Sequence, residues 1–166
     1  GAPAIDDLDG DGDLEIAITS KNGIFYIFDH EGNLIYDLDT EEYLTAAPAI
    51  DSDLNIYFPT FDSDGKLYKV RWSSDNGGRF VSDYIILGKK VQKGVAVYDI
   101  NNNGEDEIII GTDDNTLEVI SFSGSMNDIY NIGGKIRSAP SIIEFNEEEF
   151  LIVAGSKDDN LYAFNP

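Results

Sequence analysis

The sequence contains no cysteine, one histidine, one tryptophan and few basic residues. Its 166 residues include 32 aspartates and glutamates against 11 lysines and arginines, which gives a formal net charge of −21. This shortage of positive charge argues against nucleic acid and anionic membrane as partners, because both attract basic patches. Without cysteine, disulfides give no guide to the compartment in which the protein works.

Long apolar runs and helical periodicity are also missing. No hydrophobic run approaches the length needed to cross a membrane, and no stretch of ten residues repeats its apolar positions with a helical period. Hydrophobic residues nevertheless make up 42% of the chain, with nine Tyr and nine Phe. This apolar content favours a packed core over the disorder that often accompanies high net charge.

Residues 7–15 have the spacing of a loop that binds a hard cation. Oxygen-bearing side chains stand at positions 1, 3, 5 and 9, position 7 is expected to offer its backbone carbonyl, and Gly12 can adopt the positive φ of a tight turn. Oxygen ligands with no nearby His or Cys suit Ca²⁺ better than a transition metal. The predicted ligands of this first calcium loop are Asp7, Asp9, Asp11, Asp13 and Glu15.

Two other interpretations compete with a calcium loop set in β-structure. An EF-hand requires a Glu at position 12, where this chain has Ile18. It also requires flanking helices, whereas Ala2–Ile5 and Glu15–Ser20 have the composition of short strands. An acidic surface turn is the second alternative.

The same pattern returns 92 positions later, at residues 99–107, without a gap. Gly104 again stands at position 6. This second calcium loop offers two side-chain carboxylates where the first offers four, so we expect it to bind calcium more weakly, because ligand charge is a main determinant of affinity. Its predicted ligands are Asp99, Asn101, Asn103, Glu105 and Glu107.

The whole chain is built of repeats of about 45 residues, a period typical of propellers and solenoids. Each repeat contains three or four short runs rich in β-branched and aromatic residues, and four short strands per repeat indicate a propeller blade. The predicted fold is therefore an all-β propeller with three complete four-stranded blades and an incomplete fourth, as one domain or fragment over residues 1–166. The approximate repeat boundaries are 1–45, 46–92, 93–137 and 138–166.

Repeats two and four lack a complete calcium pattern. In repeat two the corresponding segment, Asp51–Asn55, is too short to wrap an ion. In repeat four Glu149 replaces the turn glycine and Ile152 replaces the final carboxylate, although Glu144, Asn146 and Glu148 stand at positions 1, 3 and 5. Calcium is therefore predicted at two sites only, in repeats one and three.

The turns between second and third strands predict tight hairpins. They end in Gly23, Gly65, Asn115 and Asn160, which are residues that tolerate the left-handed position closing a short turn. Between third and fourth strands the longest loop is predicted over Ser73–Arg79.

Recurring aromatic residues are expected to pack between blades. Trp72 has the same interpretation, with a stacking platform for a sugar or a partner as the alternative. The recurring residues are Phe25, Tyr26, Tyr57, Phe58, Tyr68 and Tyr162.

The two loops carry a resemblance to a known family. The pattern D-x-D-G-D-G-x-x-E of residues 7–15, set between short strands, is similar to the calcium loop of FG-GAP (VCBS, integrin-α-like) propeller repeats. The ending Asn160–Asn165 is similar to the third strand of quinoprotein-type (PQQ-like) repeats. The FG-GAP resemblance implies partner recognition on loops between blades and calcium that makes other loops rigid.

These features favour a non-catalytic, calcium-stabilised recognition or adhesion module of a secreted or cell-surface protein, which binds protein or glycan through its loops. No catalytic residue is predicted, because the acids lie in repeated turns rather than in one distinct constellation. The alternatives are the propeller body of a secreted, lyase-like polysaccharide-active enzyme and a purely structural spacer. For a lyase we would expect a basic residue in a central cleft, and the chain has few bases.

The chain is expected to be part of a larger ring. It starts at Gly1 rather than Met, and no candidate fourth strand follows the third strand of repeat four before Pro166. An unpaired edge strand favours association. We therefore expect pairing with the rest of a longer parent chain, or self-association in which two copies approximate an eight-bladed ring.

Overall fold

A computed structural model describes residues 1–146 and 149–165, so Glu148 and Pro166 lie outside the described residues. The described residues form four antiparallel sheets, each made of strands that are consecutive in the sequence. Blade 1 contains β1 (Ala4–Asp6), β2 (Glu15–Thr19), β3 (Ile24–Phe28) and β4 (Leu34–Asp39). Blade 2 contains β5 (Ala49–Ile50), β6 (Ile56–Pro59), β7 (Lys66–Ser73) and β8 (Arg79–Ile86). Blade 3 contains β9 (Val95–Tyr98), β10 (Glu107–Gly111), β11 (Thr116–Ile120) and β12 (Met126–Asn131), and blade 4 contains β13 (Ser141–Asn146), β14 (Glu149–Gly155) and β15 (Leu161–Phe164).

This arrangement confirms the predicted class, with three four-stranded blades and a fourth that has three strands among the described residues. Because each blade is an antiparallel meander, its loops alternate between two ends. The β1–β2 and β3–β4 loops and their equivalents lie at one end, which we name the loop face. The β2–β3 turns and the connections between blades lie at the other end, which we name the hairpin face. Both predicted calcium loops belong to the loop face.

The blades share one strand register, which defines equivalent positions. In every blade the second and third strands pair in the same way, so one residue pair can be matched from blade to blade. These pairs are Ile16↔Phe28, Ile56↔Val70, Ile108↔Ile120 and Ile152↔Phe164. An equivalent backbone hydrogen bond closes each hairpin, as when the Ser20 N–H donates to the Ile24 carbonyl at 3.0 Å.

The left-handed residue of each hairpin precedes the third strand. Gly23, Gly65 and Asn115 have positive φ values of 92°, 36° and 66°, as the sequence predicted. In blade 4 the prediction of Asn160 is wrong, because Asp159 holds this position with φ 66°. Asp tolerates the left-handed conformation almost as well as Asn. The turn of blade 4 therefore lies one residue earlier in the sequence than predicted.

The core lies between blades rather than within them. Ala17, Phe25 and Ile27 of blade 1 and Ile56 and Phe58 of blade 2 are fully buried in one cluster. Similar clusters join blade 2 to blade 3 and blade 3 to blade 4. Each blade is thus a two-sided sheet that needs a neighbour on each side to cover its apolar residues.

Aromatic stacking dominates the junction between blades 1 and 2. The Phe58 ring stacks on Phe25, with centroids 4.4 Å apart, and on Tyr68 at 5.3 Å. Trp72 packs against the same cluster and meets Phe80 edge to face at 5.0 Å. Tyr26 is the exception among the recurring aromatics, because its side of blade 1 faces away from blade 2.

Ion pairs tie neighbouring segments together at the hairpin face. Glu42, in the connection that leaves blade 1, pairs with Lys66 of blade 2. Lys89, in the next connection, pairs with the buried Glu118 of blade 3. In the third connection Arg137 donates to Asp113 at 2.7 Å, and this bond keeps the pKa of the Asp113 carboxyl below its usual range.

The predicted loop Ser73–Arg79 is shorter in the structure. Ser73 belongs to β7 and Arg79 to β8, which leaves a 3₁₀ turn over Ser74–Asn76. Gly77 and Gly78 follow with φ values of 79° and 68°, so the reversal uses two left-handed glycines rather than a long loop. The described residues contain no helix with the length and hydrophobicity that a membrane crossing requires.

Candidate functional site

The first calcium loop is held in a tight curve by its own first aspartate. Asp7 accepts hydrogen bonds from the Gly10 N–H at 2.9 Å (Oδ1) and from the Gly12 N–H at 3.1 Å (Oδ2). Gly10 and Gly12 have φ values of 78° and 99°. Asp9 accepts from the Asp11 N–H at 3.2 Å, which tightens the next step of the turn. Alternating acids and glycines therefore fold the segment by local side-chain to backbone bonds.

Glu15 anchors the loop to the core. Its side chain is only 3% exposed, and its Oε2 accepts a hydrogen bond from the N–H of Leu8 at 2.8 Å. Leu8 is itself buried in the cluster between blades 1 and 2. Burial raises the pKa of the Glu15 carboxyl, and the nearby charges of Asp9 and Asp11 raise it further.

Three of the predicted ligands converge. Carboxylate oxygens of Asp7, Asp9 and Glu15 all lie within 4.8 Å of one another. Asp11 Oδ1 accepts from the Asp13 N–H at 2.9 Å, and Asp13 Oδ2 lies 3.5 Å from His30 Nδ1 at the exposed rim. The Asp13 side chain thus faces away from the cluster, in keeping with the expectation that this position offers a carbonyl.

The repulsion within this cluster leads to a testable result. An acid whose pKa is raised on folding stabilises the fold below its unfolded pKa, and that contribution is lost as pH rises through the folded pKa. In calcium-free buffer at neutral pH, Glu15→Gln is therefore expected to raise the melting temperature, by about 2–4 °C for each kcal/mol of destabilisation that it removes at this length. Thermal scans in chelator measure it, with Asp53→Asn, an exposed acid of the β5–β6 loop, as control. An unchanged or lower melting temperature would contradict the argument.

The second calcium loop repeats the same construction. Asp99 accepts from the N–H groups of Asn103 at 3.0 Å and Gly104 at 2.8 Å. Glu107 is 3% exposed and its Oε2 accepts from the Ile100 N–H at 2.9 Å, as Glu15 does from Leu8. Burial raises the pKa of Glu107 as well.

The two loops differ in how their final carboxylate is satisfied. In the second loop the Asn101 amide donates to Glu107 Oε1 at 2.7 Å, and Asn103 Oδ1 accepts from the Glu105 N–H at 2.7 Å. Neutral amides thus stand where the first loop has carboxylates, and one of them gives the buried Glu107 carboxylate a hydrogen-bond donor. The first loop keeps an all-carboxylate donor set around a buried acid, and such a set fits a hard divalent cation. Both loops fit Ca²⁺ in residue type, the first more strongly.

In blade 2, protein donors surround the first aspartate of the segment that corresponds to the calcium loops. Asn55 stands at the position of Glu15, and its Nδ2 donates to both oxygens of Asp51, at 3.0 and 2.7 Å. The Tyr57 hydroxyl also donates to Asp51, at 3.0 Å. The backbone N–H groups of Asp53 and Asn55 donate to Asp51 as well, at 3.0 and 2.7 Å, so four donor groups occupy this carboxylate and leave no set of free oxygens for calcium.

Blade 4 has no room for a nine-residue loop. The pairing of β13 with β14 extends to Asn146↔Glu149, which leaves two residues for the connection. Ile152 stands at the position of Ile16 in the shared register, not at that of Glu15 as the sequence alignment suggested. The alignment of repeat four with repeat one was wrong by one residue, because the β13–β14 connection is shorter than the β1–β2 loop.

Two residues beside the calcium loops, Asp106 and Arg71, were not predicted. Asp106 Oδ2 accepts from the Ser52 N–H at 2.7 Å and so joins the second calcium loop to blade 2. Its partner is 54 residues away, and no local pattern signals such a bond. Arg71 and Trp72 line a cavity of about 310 Å³ together with Asp9, next to the first calcium loop.

No family model matches the chain, and no curated protein matches it either. Solved structures do. The chain aligns over 98% of its length with 50% of BBS1N in a complex with ARL6DN, with a TM-score of 0.70 and 14% identity. BamB from Moraxella catarrhalis aligns over 99% of this chain and 48% of its own, with a TM-score of 0.65 and 14% identity. A europium-containing methanol dehydrogenase aligns over 92% and 38%, with a TM-score of 0.66 and 13% identity.

These neighbours share an architecture of radially packed blades, and one further match is described as the Dos1 propeller, with a TM-score of 0.62. The fold is that of a β-propeller. At these identities the likeness concerns the fold alone, and the propeller spans about half the length of the solved chains or less. The predicted resemblance to propeller repeats is confirmed at this level, including a likeness to a quinoprotein-type dehydrogenase. Its FG-GAP calcium component stays a prediction.

Proposed function

We propose that this propeller is a non-catalytic interaction module stabilised by two calcium ions, in a secreted or cell-surface protein. The observation that carries the proposal is the convergence of Asp7, Asp9 and the buried Glu15. A buried carboxylate among like charges destabilises a loop unless a cation neutralises it. Calcium supplies that charge and makes the loop rigid, and the protein's contribution is the preformed turn.

The predicted ligands divide into two sets of different strength. Asp7, Asp9, Asp11 and Glu15 would hold the first ion through carboxylates, with the carbonyl of Asp13. Asp99 and Glu107 would hold the second with the amides of Asn101 and Asn103 and the carbonyl of Glu105. Extracellular calcium modules have modest calcium affinity. A second site with two amide ligands in place of carboxylates is consistent with such an affinity.

Partner recognition is proposed at the loop face. The cavity lined by Arg71, Trp72 and Asp9 lies directly beside the first calcium loop. It combines an aromatic ring with one of only three arginines in a strongly acidic chain, and arginine and tryptophan are enriched where proteins bind proteins. A solved neighbour, BBS1N, is in complex with ARL6DN, so a propeller of this kind can serve as a protein-binding module. A protein partner is therefore proposed ahead of a glycan.

Calorimetric titration with calcium tests the metal sites. We expect two binding events, of which Asp9→Ala abolishes the tighter and Asn101→Ala the weaker. Each variant removes one ligand and leaves the other loop unchanged.

The matched control is Asp53→Ala, which removes an exposed acid from the β5–β6 loop at the same face and is expected to leave both events in place. A single event, or the reverse assignment, would contradict the proposed sites. Two unaffected events in both variants would show that calcium binds elsewhere.

A further inference from the structure

The loop-face end of blade 2 carries positive charge that the acids of the chain do not neutralise. Acids outnumber bases by 32 to 11, and the bases of the three connections between blades pair with them. Arg71 and Arg79 are exposed and form no ion pair in the part of the chain that the structure describes. Two of the three arginines of a strongly acidic chain are therefore available to an anion from outside.

Strand register places the bases of blade 2 on one side of the sheet. Arg79 of β8 pairs with Ser73 of β7, which stands two positions after Arg71 and therefore points to the same side. Lys69 stands two positions before Arg71, and its Nζ lies 5.5 Å from the centroid of the Phe122 ring of blade 3. Lys69, Arg71 and Arg79 form a row along blade 2, which we name the basic row.

Three adjoining cavities surround the basic row. Arg71 lines a cavity of about 440 Å³ together with Lys69, and it also lines the cavity of about 310 Å³ that contains Trp72. Trp72 in turn lines a third cavity, of about 720 Å³, together with Arg79. Because neighbouring cavities share Arg71 or Trp72, they form one groove across the loop-face end of blade 2. We name it the blade 2 groove.

The walls of the groove combine apolar surface with the two guanidinium groups. In the largest cavity Ile35, Trp72 and Phe80 lie beside Arg79, and Ile35 is 43% exposed. A guanidinium binds a carboxylate through two parallel hydrogen bonds. An apolar wall beside such a pair fits a peptide in which an aliphatic side chain neighbours an acid. A sugar acid fits less well, because its many hydroxyl groups would lose water against this wall without gaining donors.

We propose that the blade 2 groove binds an acidic segment of a protein partner. Carboxylates of the segment contact Arg71 and Arg79, and its aliphatic side chains pack on Trp72 and Ile35. This inference rests on the partner site proposed above and names the chemistry of its ligand. The chain as a whole repels anions, with a net charge of −21. An acidic segment is therefore directed to the basic row and away from the rest of the surface.

Asp9 connects the groove to the first calcium loop. It lines both of the cavities that contain Trp72, and its carboxylate belongs to the cluster with Asp7 and Glu15. When the loop is empty, the negative charge of Asp9 opposes an anionic ligand beside Arg71. A calcium ion held by Asp9 removes that repulsion. Calcium and the acidic segment should therefore each tighten the binding of the other, because such coupling is reciprocal.

Trp72 is the only tryptophan of the chain, so its fluorescence reports on the groove directly. We expect the peptide acetyl-Glu-Leu-Glu-Leu-Glu-amide to change this emission saturably in calcium buffer, and the peptide with Gln in place of Glu to leave it unchanged. Arg71→Gln is expected to weaken binding of the acidic peptide by about tenfold or more, as the loss of a charged hydrogen bond does. Arg71→Lys keeps the charge and should weaken it less.

Lys21→Gln is the matched control, because it makes the same change in net charge at an exposed residue of the β2–β3 turn, on the hairpin face. It is expected to bind the peptide as the wild type does. Equal affinity of Arg71→Gln and wild type, or no saturable change with the acidic peptide, would overturn the proposal. Tighter binding of a uronate oligosaccharide than of the peptide would overturn the choice of a protein segment.

The same titration tests the link to calcium. Exchange of calcium for chelator is expected to weaken peptide binding to the wild type by about fivefold or more. Asp9→Ala should bind the peptide equally well in both solutions, because the opposing charge is gone. Equal wild-type affinity in both solutions, with the tighter calorimetric event in place, would overturn the link and leave the calcium site standing. Peptide binding that depends on Arg71 in a protein without calorimetric events would support the groove and overturn the calcium sites.

Discussion

Phe58→Ala is expected to lower the free energy of unfolding by about 3–5 kcal/mol, the range for truncating a fully buried phenylalanine. Phe58 is 0% exposed and its ring is stacked between Phe25 and Tyr68. Alanine would remove the stacked contact of both rings at the junction between blades 1 and 2. At this chain length the melting temperature should fall by roughly 6–20 °C.

Urea denaturation followed by tryptophan fluorescence measures this loss, because Trp72 packs against the same cluster. Tyr43→Ala is the control, since Tyr43 is 64% exposed and its loss is expected to change stability by less than about 0.5 kcal/mol. If Phe58→Ala fails to fold, Phe58→Leu provides a measurable intermediate loss. Equal stability of Phe58→Ala and wild type would mean that the junctions between blades do not carry the core.

Calcium is expected to raise the melting temperature by about 5–11 °C for each site that is filled at 100 times its dissociation constant. Mass action on the folded state adds about 2.7 kcal/mol per site under that condition, and each kcal/mol shifts the transition by about 2–4 °C at this length. The physical source is the neutralisation of the acid cluster around Glu15. The effect should be larger at low ionic strength, where repulsion in the empty loop is less screened.

Differential scanning fluorimetry with calcium and with chelator measures the shift. The double variant Asp9→Ala, Asn101→Ala should lose it, and magnesium should reproduce little of it, because magnesium demands a stricter geometry. If chelation left the melting temperature unchanged while it abolished a catalytic activity, the stabilising role of calcium would be wrong.

The architecture was predictable because it repeats. Four copies of one strand pattern predicted the class, the four-stranded blades and the incomplete fourth blade. Two details were not predictable. The left-handed residue is Asp159 rather than Asn160, because a turn one residue earlier is sterically just as acceptable. β7 and β8 reach Ser73 and Arg79, because two glycines close the reversal.

The candidate site was predictable in composition but not in contacts. Ligand spacing named the acids of both loops, and the structure brings Asp7, Asp9 and Glu15 together. Spacing does not reveal that Asn101 donates to Glu107 or that Asp106 reaches Ser52 of another blade. Such bonds depend on how blades are packed, and packing joins residues that are distant in sequence. The exposure of Leu161 could not be predicted for the same reason.

Each blade is a meander of consecutive strands, and this has a consequence for the order of events during synthesis. All the backbone pairing of blade 1 is available before β5 has left the ribosome. The side chains of Phe25 and Ile27 stay uncovered until β6 is synthesised with Ile56 and Phe58. Each newly synthesised blade can therefore pack on the blade before it. Folding then proceeds from the N-terminal end, as repeat arrays allow. If the ribosome pauses between two blades, the apolar face of the last complete blade would stay exposed and accessible to chaperones.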